Sequence, residues 1–166
     1  MAPAVDLCTH LAHLDDELRI RLLPVDVSFW SDRVNQPELQ AGRGASIFSY
    51  EAGPWGEWER HPLGDELVVL LRGSVDVLLE DETGTEVTKL STPGFAFVVP
   101  QMRWHSTNVH EPSSLFFVTP TSAVTEHKPR APLAEKTERW VHRATKYFAF
   151  GWWQMMALVV CSGWYW

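Results

Sequence analysis

The most regular hydrophobic pattern lies between residues 58 and 119, where apolar runs alternate with turn-forming residues. The runs are ELVVLL, SVDVLLE, EVTKL, FAFVVP and SLFFVTP, and turn signals such as Arg72-Gly73 and Pro93-Gly94 separate them. Short β-rich runs at spacings of roughly 8–12 residues are typical of an antiparallel sandwich or small barrel. No long helical pattern interrupts them, which argues against a parallel α/β sheet. The pattern therefore predicts a mostly β domain.

The flanking segments follow different patterns. Residues 5–23 carry apolar side chains at loosely helical spacing, which predicts a short amphipathic N-terminal helix that ends before Pro24. Residues 25–57 alternate short apolar stretches with turn formers, as short strands and loops do. The chain is therefore divided into a helical lead at 1–24, the β domain at 25–120, a linker at 121–132 and a tail at 133–166.

The tail is basic and helix-compatible over 133–146 and carries no charge over 147–166. Twenty residues in a helix rise about 30 Å, which is the thickness of a bilayer core. Residues 147–166 are therefore a candidate membrane span, with the β domain in the cytoplasm. Gln154 and the central Trp152-Trp153 argue against a span. The alternatives are a tail that folds on a partner and an aberrant tail.

Composition and charge narrow the function classes. The 166 residues carry a net charge of −7, with 45% apolar and 21% charged residues. That is enough apolar material for one domain plus a tail, and the acidic body argues against a nucleic-acid partner. Cys8 and Cys161 are too few for a disulfide framework or a thiolate zinc site. No secretory signal is visible at the start, so the expected location is the cytoplasm.

The candidate chemistry lies in two short stretches. In WERHPLGDELVVLLRG, Glu59 and His61 share one face of a strand, and Glu66 opens the next strand. The second stretch, PGFAFVVPQMRWHSTN, supplies His105. Neighbouring hairpins of a small barrel can direct His61, Glu66 and His105 into one mouth, where two imidazoles and a carboxylate suit a divalent metal. A lone histidine would more simply cap a strand end, but two at these spacings favour the metal.

These two stretches resemble the two motifs of the cupin superfamily. In the first, His61 is followed after four residues by Glu66 and after six more by Gly73. In the second, Gly94 is followed after five residues by Pro100, and His105 stands at the family spacing. The resemblance covers roughly residues 25–130. Within the superfamily, the chain resembles most specifically the bacterial single-domain cupins of unassigned activity. It implies a cupin-type antiparallel β-barrel or jelly roll that assembles as a homodimer.

The chain departs from the family pattern at three positions. Glu59 replaces the first histidine of the motif pair, Met102 replaces a glycine, and Asn108 comes one residue early. Only the first changes the site itself, because a carboxylate replaces a nitrogen ligand. Glu59 is a fourth ligand, a solvated carboxylate at the strand edge or the partner that orients His61.

The resemblance implies a divalent metal, Mn²⁺, Fe²⁺ or Zn²⁺, bound by His61, Glu66 and His105 together with Glu59. It also implies a small-molecule ligand or substrate. We therefore expect a metal-dependent dioxygenase or isomerase. The alternative is a non-catalytic cupin that binds or senses a small ligand.

Overall fold

The structure, a computed structural model, describes residues 4–26, 28–29, 35–121 and 125–130. Apart from a short 3₁₀ helix at Pro37–Gln40, its regular elements are strands. These are β1 His10–Leu14, β2 Ile20–Pro24, β3 Arg43–Tyr50, β4 Gly53–Pro54, β5 Glu57–Arg60, β6 Glu66–Arg72, β7 Val75–Asp81, β8 Gly84–Leu90, β9 Ala96–Val99, β10 Trp104–Val109, β11 Ser113–Pro120 and β12 Glu126–Pro129. The prediction of a mostly β chain with antiparallel strands over 58–119 is confirmed.

The strands form two antiparallel six-stranded sheets. The first sheet has the order β2-β1-β3-β11-β6-β9, and the second has the order β12-β5-β10-β7-β8, with β4 paired to β10. Consecutive strands along the chain often lie in different sheets, as β5 and β6 do. The two motif stretches therefore each contribute to both sheets.

The core lies between the two sheets and is built from alternating positions of the central strands. Val68 and Leu70 of β6 are buried against Val75, Val77 and Leu115. Side chains two residues apart on a strand share a face. Glu66 stands two residues before Val68, so the alternation that builds the core also directs this carboxylate inward.

The predicted N-terminal helix over 5–23 is wrong, because that stretch forms the hairpin of β1 and β2. Leu11 and His13 are buried on one face of β1, and the imidazole Nε2 of His13 lies 2.8 Å from the Ala41 carbonyl oxygen. Leu18 adopts a φ of 64° in the turn, where Asp15 accepts a hydrogen bond from the backbone of Arg19. The spacing of the leucines is compatible with a helix or a strand. Pairing of β1 with β3 favours the strand.

The predicted closed barrel is also not formed among the described residues. The first sheet ends at β2 and β9 and the second at β12 and β8, so the two sheets face each other without a continuous hydrogen-bonded wall. Strands β8 and β9 are consecutive but do not pair. The turn between them holds Pro93, which lacks a backbone donor, and Gly94 at a φ of 87°. The arrangement is a jelly-roll-like sandwich.

Residues 131–166 lie outside the described residues, and with them the predicted basic helix and the candidate span at 147–166. Among the residues that are described, no helix is long and apolar enough to cross a bilayer. The segment boundaries at 24, 120 and 132, the cytoplasmic location and the homodimer stay predictions.

Strand β12 forms the edge of the second sheet, and its Lys128 packs over tryptophan rings. Lys128 Nζ lies 4.5 Å from the Trp104 ring centroid and forms an ion pair with Glu80. On the neighbouring strand, Arg60 bonds Glu126 at 2.6 Å. These contacts attach β12 along β5, the strand that carries Glu59.

Candidate metal centre

The four side chains singled out from the sequence meet at one end of the space between the sheets. Glu59 of β5 lies directly opposite His105 of β10 in the strand register. His61 follows β5 on the same side as Glu59, and Glu66 begins β6 on the facing sheet. His61, Glu66 and His105 are buried, while the Glu59 side chain is 28% exposed. The structure therefore brings together every residue of the predicted site.

The distances between these side chains match a shared ion. His105 Nε2 lies 3.1 Å from Glu66 Oε2 and 3.3 Å from Glu59 Oε1. His61 Nε2 lies 3.5 Å from Glu66 Oε1. One donor atom from each of the four residues lies within 4.8 Å of all the others. Atoms about 2.1 Å from one ion lie at most about 4.2 Å apart, so shifts of a few tenths of an ångström would complete the coordination.

Three of these atoms are buried and have no hydrogen-bond partner among the described residues. They are His61 Nε2, Glu66 Oε2 and His105 Nε2. A buried polar atom without a partner costs free energy, so native proteins rarely tolerate one, and here three face each other. A cation at their centre would satisfy all three at once. The side chains therefore fit a divalent metal.

The remaining polar atoms of the ligands are engaged by neighbouring groups. His105 Nδ1 lies 3.4 Å from the Arg103 carbonyl oxygen, which only accepts, so Nδ1 carries the proton and Nε2 faces the cluster. His61 Nδ1 lies 3.3 Å from Thr125 Oγ1. The Thr119 hydroxyl donates to Glu66 Oε1 at 2.5 Å. Such contacts fix the orientation of metal-binding side chains.

The electrostatics of the site couple Glu66 to the imidazoles. Burial raises the pKa of Glu66, but the close contacts with His105 and His61 outweigh burial and hold this pKa at about 2, below the usual 4.5. Burial lowers the pKa of His105, but contacts with Glu59 and Glu66 raise it to about 10 from the usual 6.5. Without a metal, a positive charge on His105 therefore balances the buried carboxylates.

Backbone contacts join the loops of the two motif stretches. The Met102 amide donates to the His61 carbonyl oxygen at 3.1 Å, and the Gln101 amide donates to Asp65 Oδ1 at 2.7 Å. Met102 adopts a φ of 63° at the position where the cupin motif has glycine. The turn thus keeps the left-handed backbone that glycine adopts most easily, and the substitution leaves the loop connection in place.

A cavity of about 40 Å³ opens beside the four ligands. Its lining includes Glu59, Glu66 and His105, and apolar walls from Trp55 and Phe117. Tyr50 of β3 also lines it. Burial and the negative charges of Glu59 and Glu66 raise the pKa of Tyr50 above its ordinary value.

Sequence reasoning missed Tyr50, Thr119 and Thr125. Thr119 and Thr125 belong to the C-terminal part of the resemblance, where no motif marks them. The sequence did offer one signal for Thr119. Leu115, Phe117 and Thr119 alternate along β11 and therefore share one face, so Thr119 could have been predicted to point inward with the two apolar residues.

Comparisons with known proteins return cupin structures at low identity. No family model and no curated protein matches the chain. A cupin-2 domain protein from Shewanella frigidimarina is 20% identical over 47% of this chain and 70% of its own, with a TM-score of 0.39. A cupin superfamily protein from Desulfitobacterium hafniense is 23% identical over 47% of this chain and 66% of its own, with a TM-score of 0.41.

An oxalate decarboxylase variant from Bacillus subtilis is 18% identical over 54% of this chain and 24% of its own, with a TM-score of 0.44. Two of these three solved structures are of cupin proteins. All three TM-scores are below 0.5, so the activities of those proteins carry no weight for this chain. The case for a metal site rests on the four side chains themselves.

The contact between Thr125 and His61 gives a first prediction. Thr125→Val removes the hydroxyl that holds the His61 ring while keeping the side-chain shape, so we expect metal affinity to fall about 10–100-fold. Competition with a chromophoric chelator measures the affinity. Thr121→Val, which removes a hydroxyl bonded to the Ala41 carbonyl oxygen, is the matched control. Equal affinities in all three proteins would contradict this role for Thr125.

The pKa shifts predict the pH dependence of stability in the metal-free protein. The lowered pKa of Glu66 adds stability above pH 4.5 that is lost as the pH falls toward about 2. The raised pKa of His105 adds stability below pH 6.5 that is lost as the pH rises through about 10. The metal-free protein should therefore be most stable between pH 4.5 and 6.5.

Urea unfolding of chelator-treated protein from pH 5 to 10 measures this dependence. His105→Gln should abolish most of the decrease above pH 6.5, because glutamine does not titrate. A wild-type stability that rises steadily from pH 6.5 to 10 would show that the His105 contacts with the carboxylates are not formed.

Proposed function

We propose that this protein binds a divalent metal ion through His61, Glu66, His105 and Glu59 and uses it to act on a small molecule. The observation that carries the proposal is the convergence of three buried atoms without partners, His61 Nε2, Glu66 Oε2 and His105 Nε2. Without an ion, these atoms lie in ion-pair contact but make no hydrogen bond, which leaves part of their desolvation cost in place.

The donor set favours particular metals. Two imidazole nitrogens and two carboxylates form a mixed set, which suits Mn²⁺, Fe²⁺ or Zn²⁺ better than a soft ion that prefers sulfur. The two negative charges of Glu59 and Glu66 neutralise the ion, which lowers the cost of burying it. Glu59 is the most exposed of the four side chains and borders the cavity.

The proposed activity is that of a small-molecule dioxygenase or isomerase. When bound, the ion would supply Lewis-acid chemistry toward an oxygen of the small molecule, and Fe²⁺ or Mn²⁺ would add redox chemistry toward dioxygen. The protein's own contribution is to hold the ligand atoms in place through Thr119, Thr125 and the Arg103 carbonyl. The apolar walls formed by Trp55 and Phe117 limit access of bulk water to the cavity.

One observation favours the second candidate function, a non-catalytic protein that binds or senses a small ligand. The side chains in the cavity lining that can act as general bases are Glu59, Glu66 and His105. All three are proposed metal ligands. No separate general base remains among the described residues that line it. Proton transfer would then depend on a ligand that leaves the metal, or on Tyr50.

Metal content tests the proposed site directly. Purified wild-type protein from cells supplied with Mn²⁺, Fe²⁺ and Zn²⁺ should hold one equivalent of metal by mass spectrometry. His61→Ala and His105→Ala should each lose most of it, because each removes a buried nitrogen ligand. Glu59→Ala should retain a weaker site. The matched control is His110→Ala, since His110 lies 2.8 Å from Asp76 on the surface.

Folded wild-type protein without metal would contradict the metal-dependent enzyme and favour the ligand-binding alternative. Wild-type metal content in His105→Ala would show that the metal lies elsewhere. Far-ultraviolet circular dichroism of each variant confirms that it is folded before its metal content is compared.

A further inference from the structure

Tyr50 is held in the cavity by surrounding aromatic rings. The Trp55 ring stands at 89° to it with centroids 5.6 Å apart, and the Phe117 ring stands at 74° with centroids 6.4 Å apart. Phe48 lies on a third side at 6.4 Å. Edge contacts of this kind fix the plane of a ring. The position of the Tyr50 hydroxyl is therefore set by rigid neighbours on β3 and β11 and by the segment that precedes β5.

The hydroxyl of Tyr50 lacks the kind of partner that the hydroxyls of Thr119 and Ser106 have. Thr119 donates to Glu66, and Ser106 donates to the Glu57 carbonyl oxygen at 2.7 Å. Among the described residues, Tyr50 makes ring contacts and its hydroxyl makes no hydrogen bond. A tyrosine hydroxyl near an apolar interior normally finds a partner. The hydroxyl is therefore available to a molecule in the cavity that the Tyr50 side chain lines.

The charges around the cavity restrict what the hydroxyl would bind. Among the residues that the structure describes, no lysine or arginine lines the cavity. A divalent ion neutralises Glu59 and Glu66, so the loaded site offers little excess positive charge to a multiply charged anion. The volume of about 40 Å³ is space for only a few water molecules. The site therefore suits a ligand of a few non-hydrogen atoms with at most one negative charge.

We propose that the Tyr50 hydroxyl donates a hydrogen bond to a small, neutral or singly charged ligand that occupies the open position of the metal. This rests on the proposed metal site and adds to it a specificity-determining contact from β3. The ring faces the same cavity as Glu59, Glu66 and His105, and the donor is neutral. The contact selects a hydrogen-bond acceptor next to the metal and leaves phosphate and other dianions without a counter-charge.

Azide binding to the Co²⁺-loaded protein tests the proposal. Azide is a singly charged acceptor of three atoms, and the visible spectrum of Co²⁺ reports its binding. We expect Tyr50→Phe to weaken azide binding about 10–100-fold with Co²⁺ affinity unchanged, because a hydrogen bond to a charged group is lost. Phosphate at the same concentration should leave the wild-type spectrum unaltered.

A spectroscopic measurement separates a direct contact from a change in folding. The infrared stretch of bound azide should shift between H₂O and D₂O in wild type, and the shift should vanish in Tyr50→Phe. Ser49→Ala is the control, since Ser49 is the adjacent residue on β3 and its hydroxyl lies 3.0 Å from that of Ser114. This variant should bind azide as wild type does.

The outcomes separate failure of the Tyr50 hydrogen bond from failure of the metal site on which it depends. If wild type binds no Co²⁺, the metal site is wrong and the Tyr50 contact falls with it. If Co²⁺ binds but azide binds Tyr50→Phe and wild type equally, the metal site stands and the proposal for Tyr50 is overturned. Phosphate that binds more tightly than azide would overturn the ligand class.

Discussion

The structure depends on the burial of one carboxylate, Glu66, at the inner end of β6. The strand continues directly into the core through Val68 and Leu70, so the carboxylate cannot turn toward water without breaking the alternation. A buried carboxylate is stable only with compensating charge and hydrogen bonds. In the metal-free protein Thr119 supplies a hydrogen bond and His105 supplies the charge. A divalent ion would supply the charge more completely, since it would also satisfy the nitrogens that remain without partners.

The same constraint explains why the site draws on both sheets. Glu66 belongs to the first sheet, whereas Glu59 and His105 face each other across neighbouring strands of the second. The core between the sheets fixes their separation, and the loop contacts from Met102 to His61 and from Gln101 to Asp65 fix the ends of the strands. The ligand cluster is therefore as rigid as the apolar core. Tyr50, held by aromatic rings on the far side of the cavity, extends this rigid frame.

The sequence allowed the strands over 58–119 and the four clustered residues to be predicted, because alternation and motif spacing are local signals. It failed where long-range pairing decides the structure. The leucines of residues 5–23 suit a helix or a strand, and pairing of β1 with β3 decides between them. Strand β12, with sequence EHKP, has no strand pattern and is held by contacts with Trp58, Trp104 and Arg60. Tyr50 reaches the site only through the fold, so no spacing rule marks it.

The most direct test of the central claim is X-ray absorption at the metal edge of the protein loaded with one equivalent of Zn²⁺. The proposed metal site predicts scattering from two imidazole rings, those of His61 and His105, and oxygen neighbours from Glu66 and Glu59. In Glu59→His the spectrum should show three imidazoles, and in His105→Ala only one. A wild-type spectrum without imidazole scattering would contradict the claim that the buried nitrogens bind the ion. An unchanged count in Glu59→His would place Glu59 outside the coordination sphere.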